Sequence, residues 1–209
     1  MGRLTKICLA GATALGLIAG HPAGATESPE RIEPLINDDG SPTQPWFLNS
    51  FLELPEDLQE AEAAGKRLAI IWEQRGCPYC REMHYVNFAK PEINSYIKDN
   101  FAVIQLNIWG DREVTDFDGE VVTEKNLARK WGVVFTPTIH FFGKESEIKE
   151  GQPGSAQLVA MMPGYFKPYH FISMFEYVKK DRYTSQHFQK YIDEKFRALR
   201  EKGEDVIVW

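Results

Sequence analysis

Residues 68–80 of the chain read LAIIWEQRGCPYC, and this stretch decides the fold. Its apolar start lies within a predicted strand from Arg67 to Glu73 and is typical of a strand covered on both faces. Gly76 breaks the strand, and Pro78 stands where a first helical residue needs no amide hydrogen. The pattern therefore places both cysteines at the beginning of a helix.

A helix N-terminus changes the chemistry of a cysteine. The unpaired backbone N–H groups and the dipole of the helix stabilise a thiolate. They lower the pKa of a cysteine there from about 8.5 into a range of about 3.5 to 7.5. Cys77, at the helix start, is therefore predicted to be the attacking thiol. Cys80 lies one turn further along the helix and is predicted to resolve the mixed disulfide from behind.

The cysteine count favours redox chemistry over a structural role. Beyond Cys8 the chain has only Cys77 and Cys80, and a bridge over so short a loop gains little chain entropy. A structural disulfide and half of a zinc site are the alternatives, but zinc requires further ligands. We therefore predict no metal and no bound cofactor. The histidines after residue 25 are His84, His140, His170 and His187.

The first 25 residues have the order of a secretory signal peptide. Arg3 and Lys6 form a charged start, residues 7–20 are uncharged and rich in small or apolar side chains, and residues 23–25 read Ala-Gly-Ala. A retained membrane anchor is the alternative, but a membrane span needs about 20 strongly apolar residues. We therefore expect cleavage after Ala25 and export to the periplasm, with no membrane insertion of the mature chain.

The mature chain is predicted to be one acidic domain. After residue 25 it has 22 basic and 30 acidic residues, which argues against nucleic acid as a partner. Residues 26–45 contain four prolines and an Asp-Asp-Gly turn, so they are predicted to be a flexible, exposed leader. Residues 46–209 then form the domain and its C-terminal helical extension.

The remaining pattern predicts a mixed sheet between helices. A helix over residues 55–65 precedes the first strand, and a second buried strand follows at 101–108. A short helix at 124–132 leads to a strand at 138–142, and residues 143–163 return as an antiparallel strand. Residues 109–123 are either a hairpin or a surface loop. Two amphipathic helices end the chain, and their apolar stripes, interpreted as core, are Phe171, Met174, Phe175 and Val178, and Phe188, Tyr191, Ile192, Phe196 and Leu199.

Two motifs together resemble the thioredoxin superfamily. Residues 76–80 look like its active-site turn, and Thr136-Pro137, at the entrance to an apolar strand, looks like its cis-proline dipeptide. The resemblance spans residues 55–180 and implies a thioredoxin-like α/β fold, with a central mixed β-sheet flanked by helices and an extra C-terminal helix. It also implies that Thr136 and Pro137 face the cysteines and, with Pro78 and Tyr79, bind an extended substrate segment. A simple turn proline is the alternative for residue 137.

A narrower resemblance is to the SoxW-type periplasmic thioredoxins, which are similar to the thioredoxin-2-like group. It rests on residues 76–84, which read GCPYCREMH, on Pro163-Gly164-Tyr165 and on the aromatic-rich C-terminal helices. This resemblance implies a reductase linked to sulfur oxidation or cytochrome maturation. Such a reductase receives its electrons from a membrane dithiol carrier.

The sequence departs from ordinary thioredoxin beneath the cysteines. The family's buried aspartate, six residues before the first cysteine, corresponds to Ile71. Glu73 is the nearest carboxylate and lies on the same strand face, so it is either a proton shuttle for Cys80 or a surface ion-pair partner. His84, four residues after Cys80, either tunes that thiol or is an ordinary histidine of the helix surface.

These features predict a periplasmic thiol:disulfide oxidoreductase that reduces disulfides of exported proteins through a Cys77 mixed disulfide resolved by Cys80. A disulfide oxidase or isomerase acting on exported thiols is the first alternative, because a Pro-Tyr dipeptide between the cysteines also occurs in oxidising and isomerising relatives. A peptide-binding or chaperone module that keeps the fold and makes no use of its cysteines is the second. Reduction potential separates reductase from oxidase.

Overall fold

The computed structural model describes residues 1–2 and 30–203. The predicted signal peptide, residues 1–25, therefore lies outside the described residues except for its first two. The helices are α1 (Leu54–Ala63), α2 (Pro78–Glu82), α3 (Pro91–Asn100), α4 (Glu124–Lys130), α5 (Pro168–Lys179) and α6 (Phe188–Glu201). The strands are β1 (Leu35–Ile36), β2 (Pro42–Thr43), β3 (Arg67–Glu73), β4 (Phe101–Asn107), β5 (Glu113–Thr115), β6 (Val121–Thr123), β7 (Thr138–Phe142) and β8 (Leu158–Pro163).

A four-stranded mixed sheet forms the centre of the fold, in the order β4-β3-β7-β8. β4 runs parallel to β3, whereas β7 is antiparallel to both β3 and β8. The bounds of β3 and β7 are those predicted. β8 returns antiparallel to β7 as predicted, but it covers only Leu158–Pro163 of the predicted residues 143–163. Every residue of β3 is buried, because helices cover both faces of the sheet. The predicted mixed α/β architecture is therefore confirmed.

Two apolar cores lie on opposite faces of the sheet, because side chains alternate along each strand. Ile71 packs with residues of α3 and α5, including Phe175. Ile70 and Trp72 pack on the other face with α1 and α4. The predicted stripe of α5 is buried throughout, which confirms it as core. Each fully buried apolar side chain of this kind contributes about 1.5–3 kcal/mol, so the two layers hold the sheet firmly between its helices.

The helix that carries the cysteine pair changes its winding early. α2 ends at Glu82, and Met83–Asn87 form a π-helical turn closed by a hydrogen bond of 3.0 Å from Phe88 N to Met83 O. The predicted end of the helix near Phe88 is therefore confirmed. His84 is buried within this turn, and π-helical turns inside α-helices are frequent at functional sites.

Residues 30–45 differ from the predicted flexible leader. They contain the antiparallel β1–β2 hairpin, and Ile32 N donates a hydrogen bond of 2.9 Å to Ala89 O after the π-helical turn. Ser41 and Gln44 are buried. Residues 30–40 are mostly exposed, as predicted, but Gln44 pairs with buried polar groups of the domain. The segment is therefore part of the packed fold.

The C-terminal extension packs on α5. Tyr191 Oη donates to Glu176 Oε2 at 3.0 Å, and Lys195 Nζ forms an ion pair with the same oxygen at 3.0 Å. The predicted stripe of α6 is core only in part, since Tyr191 and Ile192 are buried, whereas Phe188, Phe196 and Leu199 are half-buried. None of the helices in residues 30–203 is both long and apolar enough to cross a membrane.

Residues 109–123 form the β5–β6 hairpin, which anchors the loop that follows α4. Asp116, fully buried after β5, accepts hydrogen bonds from Trp131 Nε1 at 3.0 Å and from Gly154 N at 2.8 Å. The ring of Trp131 packs edge-on against Trp72 with 5.7 Å between centroids. Because Trp131 directly follows α4, these contacts set the starting point of the 132–137 loop.

Gly154→Ala tests this anchor. A Cβ atom at residue 154 would lie 2.0 Å from Trp131 Cζ2, far inside van der Waals contact. We expect the free energy of unfolding to fall by about 1–3 kcal/mol, because the added methyl group forces packed side chains apart. Urea denaturation of the oxidised protein measures the loss, with Ser155→Ala as the control. A loss no larger than that of the control would contradict the anchoring contact.

Candidate active site

A disulfide joins Cys77 and Cys80 at the start of α2. Their Cα atoms are 5.3 Å apart, within the usual disulfide range of about 4.4–6.8 Å. Cys77 is the N-cap residue, and its Sγ accepts a hydrogen bond of 3.1 Å from Cys80 N. Gly76 has a φ of +75°, a conformation that favours glycine and turns the chain from β3 into the helix.

The two cysteines differ in their access to solvent. Cys77 is 8% exposed, whereas Cys80 is 1% exposed. A sulfur atom of another protein can therefore approach Cys77 from outside, while Cys80 reaches only its neighbour. This difference is consistent with the predicted roles of attacking and resolving thiol.

The Thr136–Pro137 loop lies against the cysteine pair. The peptide bond between the two residues is cis, as predicted. Thr136 Oγ1 donates a hydrogen bond of 3.3 Å to Cys77 Sγ, and Thr136 O lies 3.6 Å from the same sulfur. A disulfide sulfur carries no proton, so this second contact becomes a hydrogen bond only with a Cys77 thiol. Gly164 N donates to Pro137 O at 2.8 Å and ties the loop to the end of β8.

Exposed aromatic and aliphatic side chains surround the disulfide. Tyr79 stands between the cysteines, and Val134 and Phe135 precede the cis bond; all three are exposed. Trp109, also exposed, donates from its indole nitrogen to Gln74 Oε1 at 2.6 Å, just before the cysteine turn. A nearly buried disulfide with an apolar rim suits contact with an extended peptide segment better than contact with a small polar molecule.

Tyr165 connects this rim to the π-helical turn. Its ring stacks on Tyr79 with 6.5 Å between centroids and 17° between planes. Its hydroxyl donates to Asn87 Oδ1 at 3.2 Å. Burial raises the pKa of Tyr165, and the negative charge of Glu82 adds to the effect. The phenol therefore stays protonated at neutral pH and remains a donor.

Glu73 and His84 form a buried pair beneath this surface. Glu73 is 2% exposed and His84 is fully buried. His84 Nε2 lies 3.1 Å and 3.2 Å from the two carboxylate oxygens, and Gln105 Nε2 also donates to Glu73. The interpretations of Glu73 as a surface ion-pair partner and of His84 as a helix-surface histidine are therefore wrong. The π-helical turn thus meets the end of β3 through this contact, and Gln44 and Phe47 contact the ring of His84.

A polar cleft opens beside the pair. It has a volume of about 630 Å³ and lies between the β1–β2 hairpin and β4. Gln44, Glu73, Gln105, Asn107 and Arg112 are among the residues that line it. Glu73 therefore lines a space that water can enter, while its carboxylate is hydrogen-bonded inside the domain.

In the described part of the chain, no three or more histidine, cysteine, aspartate or glutamate side chains are placed to hold a metal ion. His140, one of the histidines considered for zinc, accepts a hydrogen bond of 3.2 Å from Trp72 Nε1. Burial lowers its pKa to about 4, so it is neutral at physiological pH. Its contacts are those of a core histidine.

Comparisons with known proteins agree with this fold. A model of the family described as thioredoxin-like domain matches residues 54–179. A thioredoxin-fold protein from Helicobacter pylori is 18% identical, with a TM-score of 0.50 over 73% of this chain and 95% of that chain. A thioredoxin from Thermus thermophilus is 22% identical (TM-score 0.45; 60% and 83% covered). The oxidised C-terminal domain of DsbD from Neisseria meningitidis is 15% identical (TM-score 0.38; 58% and 88%). No curated protein matches the chain in sequence.

Sequence reasoning missed part of the site. The spacing of His84 from Cys80 indicated a shared helix face, but its contact with Glu73 depends on tertiary packing. Gln44 was assigned to the leader, and no local pattern distinguishes it from an exposed glutamine. Tyr165 was noted only within a resemblance motif, and its stacking on Tyr79 required the structure.

Thr136→Val tests the hydrogen bond to the attacking sulfur. The substitution keeps the side-chain shape and removes the hydroxyl donor, so the Cys77 thiolate loses one favourable contact. We expect the pH midpoint of Cys77 alkylation to rise by about one unit. Iodoacetamide labelling followed by mass spectrometry measures it. Thr138→Val, which removes a hydroxyl bonded to Phe135 O instead, is the matched control, and equal midpoints in both variants would argue against the contact.

Proposed function

The chain belongs to the thioredoxin-like domain family, and we propose that it is a thiol:disulfide oxidoreductase that acts through a Cys77 mixed disulfide resolved by Cys80. The disulfide itself carries this conclusion. The Cys77 sulfur lies at the start of α2 beside the Thr136–Pro137 loop, and Cys80 is more deeply buried. This geometry separates an attacking atom from a resolving atom.

Reduction of a partner disulfide proceeds in two displacements. The Cys77 thiolate attacks one partner sulfur, and the other partner sulfur leaves as a thiolate that takes a proton from water. Cys80 then loses its proton and attacks Cys77 Sγ, which releases the first partner sulfur and forms the Cys77–Cys80 disulfide. Two electrons from an external dithiol restore the reduced pair, so no bound cofactor takes part.

We assign to Glu73 the role of proton shuttle for Cys80. Its carboxylate is the buried acceptor on the strand that leads directly into the cysteine turn. It lies against His84, which is four residues after Cys80 in the helical segment that carries the cysteine pair. A positioned carboxylate of this kind assists deprotonation of the resolving thiol.

The rim around the disulfide is the proposed binding surface for the partner. Thr136 and Pro137 present backbone groups beside Cys77, and Pro78 and Tyr79 complete the wall on the helix side. An extended segment of the partner lies against these residues, where backbone hydrogen bonds supply affinity with little dependence on sequence.

Within the family, we propose a SoxW-type reductase of the periplasm. The run at residues 76–84, the Pro163-Gly164-Tyr165 segment and the C-terminal helices support the subgroup, and the signal-like order of residues 1–25 supports export. Its partners are then the disulfides of exported proteins and a membrane dithiol electron carrier.

Cys80→Ser tests the two-step reaction. The variant attacks a partner disulfide but cannot resolve the product, so it should accumulate mixed disulfides through Cys77 in its native host, a membrane electron donor among them. Non-reducing gels and mass spectrometry identify them. Wild-type protein supplied with dithiothreitol should reduce insulin, and Cys77→Ser should not. Absence of both trapping and insulin reduction would contradict the oxidoreductase function and leave a peptide-binding module.

A disulfide-forming role is the second candidate, and one contact favours it. The Thr136 hydroxyl donates to Cys77 Sγ, which stabilises the thiolate and hence the reduced form of the pair. A stabilised reduced form makes a dithiol protein a stronger oxidant.

The reduction potential of the Cys77–Cys80 pair decides between the two directions. A reductase is expected to have a potential near that of thioredoxin, about −270 mV, whereas a strong periplasmic oxidant has about −120 mV. Equilibration with glutathione buffers of known ratio measures it. A value close to the oxidant's would reverse the proposed direction of electron flow.

A further inference from the structure

A chain of hydrogen bonds runs from the N-terminal segment to Glu73, and we name it the amide relay. Its members in order are Trp46, Asn94, Gln44, His84 and Glu73, and the distances between successive polar atoms are 3.0, 3.0, 3.2 and 3.1 Å. All members except Trp46 are buried. Because buried polar groups must be paired, each bond of the relay constrains the next.

Two groups of fixed chemistry set the orientation of Asn94. The indole nitrogen of Trp46 can only donate, so the atom that faces it at 3.0 Å is the amide oxygen of Asn94. The carbonyl of Phe88 can only accept, so the atom that faces it at 2.9 Å is the amide nitrogen. The two assignments agree and leave one orientation.

The orientation of Asn94 then fixes Gln44 and His84. The Asn94 amide nitrogen donates to Gln44 Oε1, so the Gln44 amide nitrogen is the atom that faces His84 Nδ1. Since an amide nitrogen donates, Nδ1 accepts and carries no proton. The proton of the neutral imidazole is therefore on Nε2, which faces Glu73.

The second donor to Glu73 is held in the same way. Gln105 Nε2 donates both to Glu73 Oε2 and to Pro42 O, the latter at 2.9 Å. A carbonyl only accepts, so the nitrogen of the Gln105 amide must face inward. Its oxygen accepts from Asn37 Nδ2 at 3.2 Å. Both donors that reach the carboxylate are thus oriented by residues 37–46.

We propose that residues 37–46 are a positioning segment for Glu73, acting through His84 and Gln105. The segment precedes residues 54–179, which the family model matches. The inference rests on the proposed function of Glu73 as the acceptor of the Cys80 proton.

The positioning segment determines which group accepts that proton. With Nε2–H facing the carboxylate, His84 has no lone pair free on that side, and Glu73 is the acceptor. As Cys80 attacks Cys77 Sγ, its proton passes to the carboxylate, the mixed disulfide breaks and the partner sulfur leaves as a thiolate. The carboxylate then returns the proton to water in the cleft it lines, and His84 keeps its own.

Nitrogen NMR of the full chain tests the orientation without reference to activity. In a long-range proton–nitrogen correlation spectrum, we expect His84 to be neutral, with Nε2 protonated and Nδ1 unprotonated, in both redox states. Loss of the signals in His84→Gln assigns them. A protonated Nδ1 would overturn the inference.

Gln44→Glu tests the consequence for catalysis. The carboxylate keeps the size of the amide and still accepts from Asn94, but it draws a proton onto His84 Nδ1. Reduced protein mixed with dithionitrobenzoate releases one coloured thiol when Cys77 attacks and a second when Cys80 resolves. We expect the second release to slow by about 10-fold or more and the first to change by less than about 2-fold.

The matched control is Asn49→Asp, which makes the same charge change at an exposed residue of the same cleft, outside the amide relay. Asn49→Asp should release the second coloured thiol at the rate of the wild type. If Gln44→Glu releases the second thiol at the wild-type rate while its spectrum shows a protonated His84 Nδ1, the inference would be overturned.

If Gln44→Glu fails to fold, His84→Gln replaces it, because its amide still offers a donor to Glu73 but cannot carry a proton through its ring. If His84→Gln releases the second thiol far faster than His84→Leu does, the result supports positioning, and equal rates overturn it.

Glu73→Gln distinguishes failure of the proposed proton transfer from failure of the positioning segment. An unchanged second release there removes the proposed proton transfer itself, whereas a slow Glu73→Gln beside an unchanged Gln44→Glu overturns the positioning segment alone.

Discussion

A carboxylate placed inside a protein must find donors, because an unpaired buried charge costs far more free energy than one contact returns. Glu73 imposes this requirement at the end of β3, one short turn before the cysteine pair. Its donors come from two elements, His84 on the π-helical turn and Gln105 on β4. Both donors are in turn held by residues 37–46. The hydrogen bonds around Glu73 therefore connect the β1–β2 hairpin, the π-helical turn and the central sheet.

The same corner of the sheet assembles the redox surface. β3 ends in the turn that carries Cys77, and the loop before β7 places the Thr136 hydroxyl on that sulfur. This loop is fixed at one end by Trp131 in the second core and at the other by the bond from Gly164 to Pro137 O. Anchors on both sides hold the Thr136 hydroxyl in one geometry beside the Cys77 sulfur.

The sequence could predict those parts of the molecule that depend on local pattern. β3 and β7 have the predicted bounds, and the cis bond at Thr136–Pro137 lies against the cysteines as the resemblance implied. Glu73 was recognised as the nearest carboxylate, but its burial was not, since charged side chains are usually exposed. Composition alone cannot show that a polar residue binds another buried polar group, and this is why Gln44 was assigned to an exposed leader.

Three groups outside the positioning segment bind the backbone on the open side of β4, one of the two outer strands of the sheet. Leu48 N donates to Val103 O at 2.8 Å, Arg112 donates to Gln105 O at 2.9 Å, and Asn107 N donates to Glu124 at 2.9 Å. An uncovered outer strand is a template on which a second chain can add, and such pairing begins aggregation. Here backbone groups on that side of β4 already have partners within the chain. Leu48, Arg112 and Glu124 thus leave fewer backbone groups on the β4 side of the sheet with which a neighbouring molecule could pair.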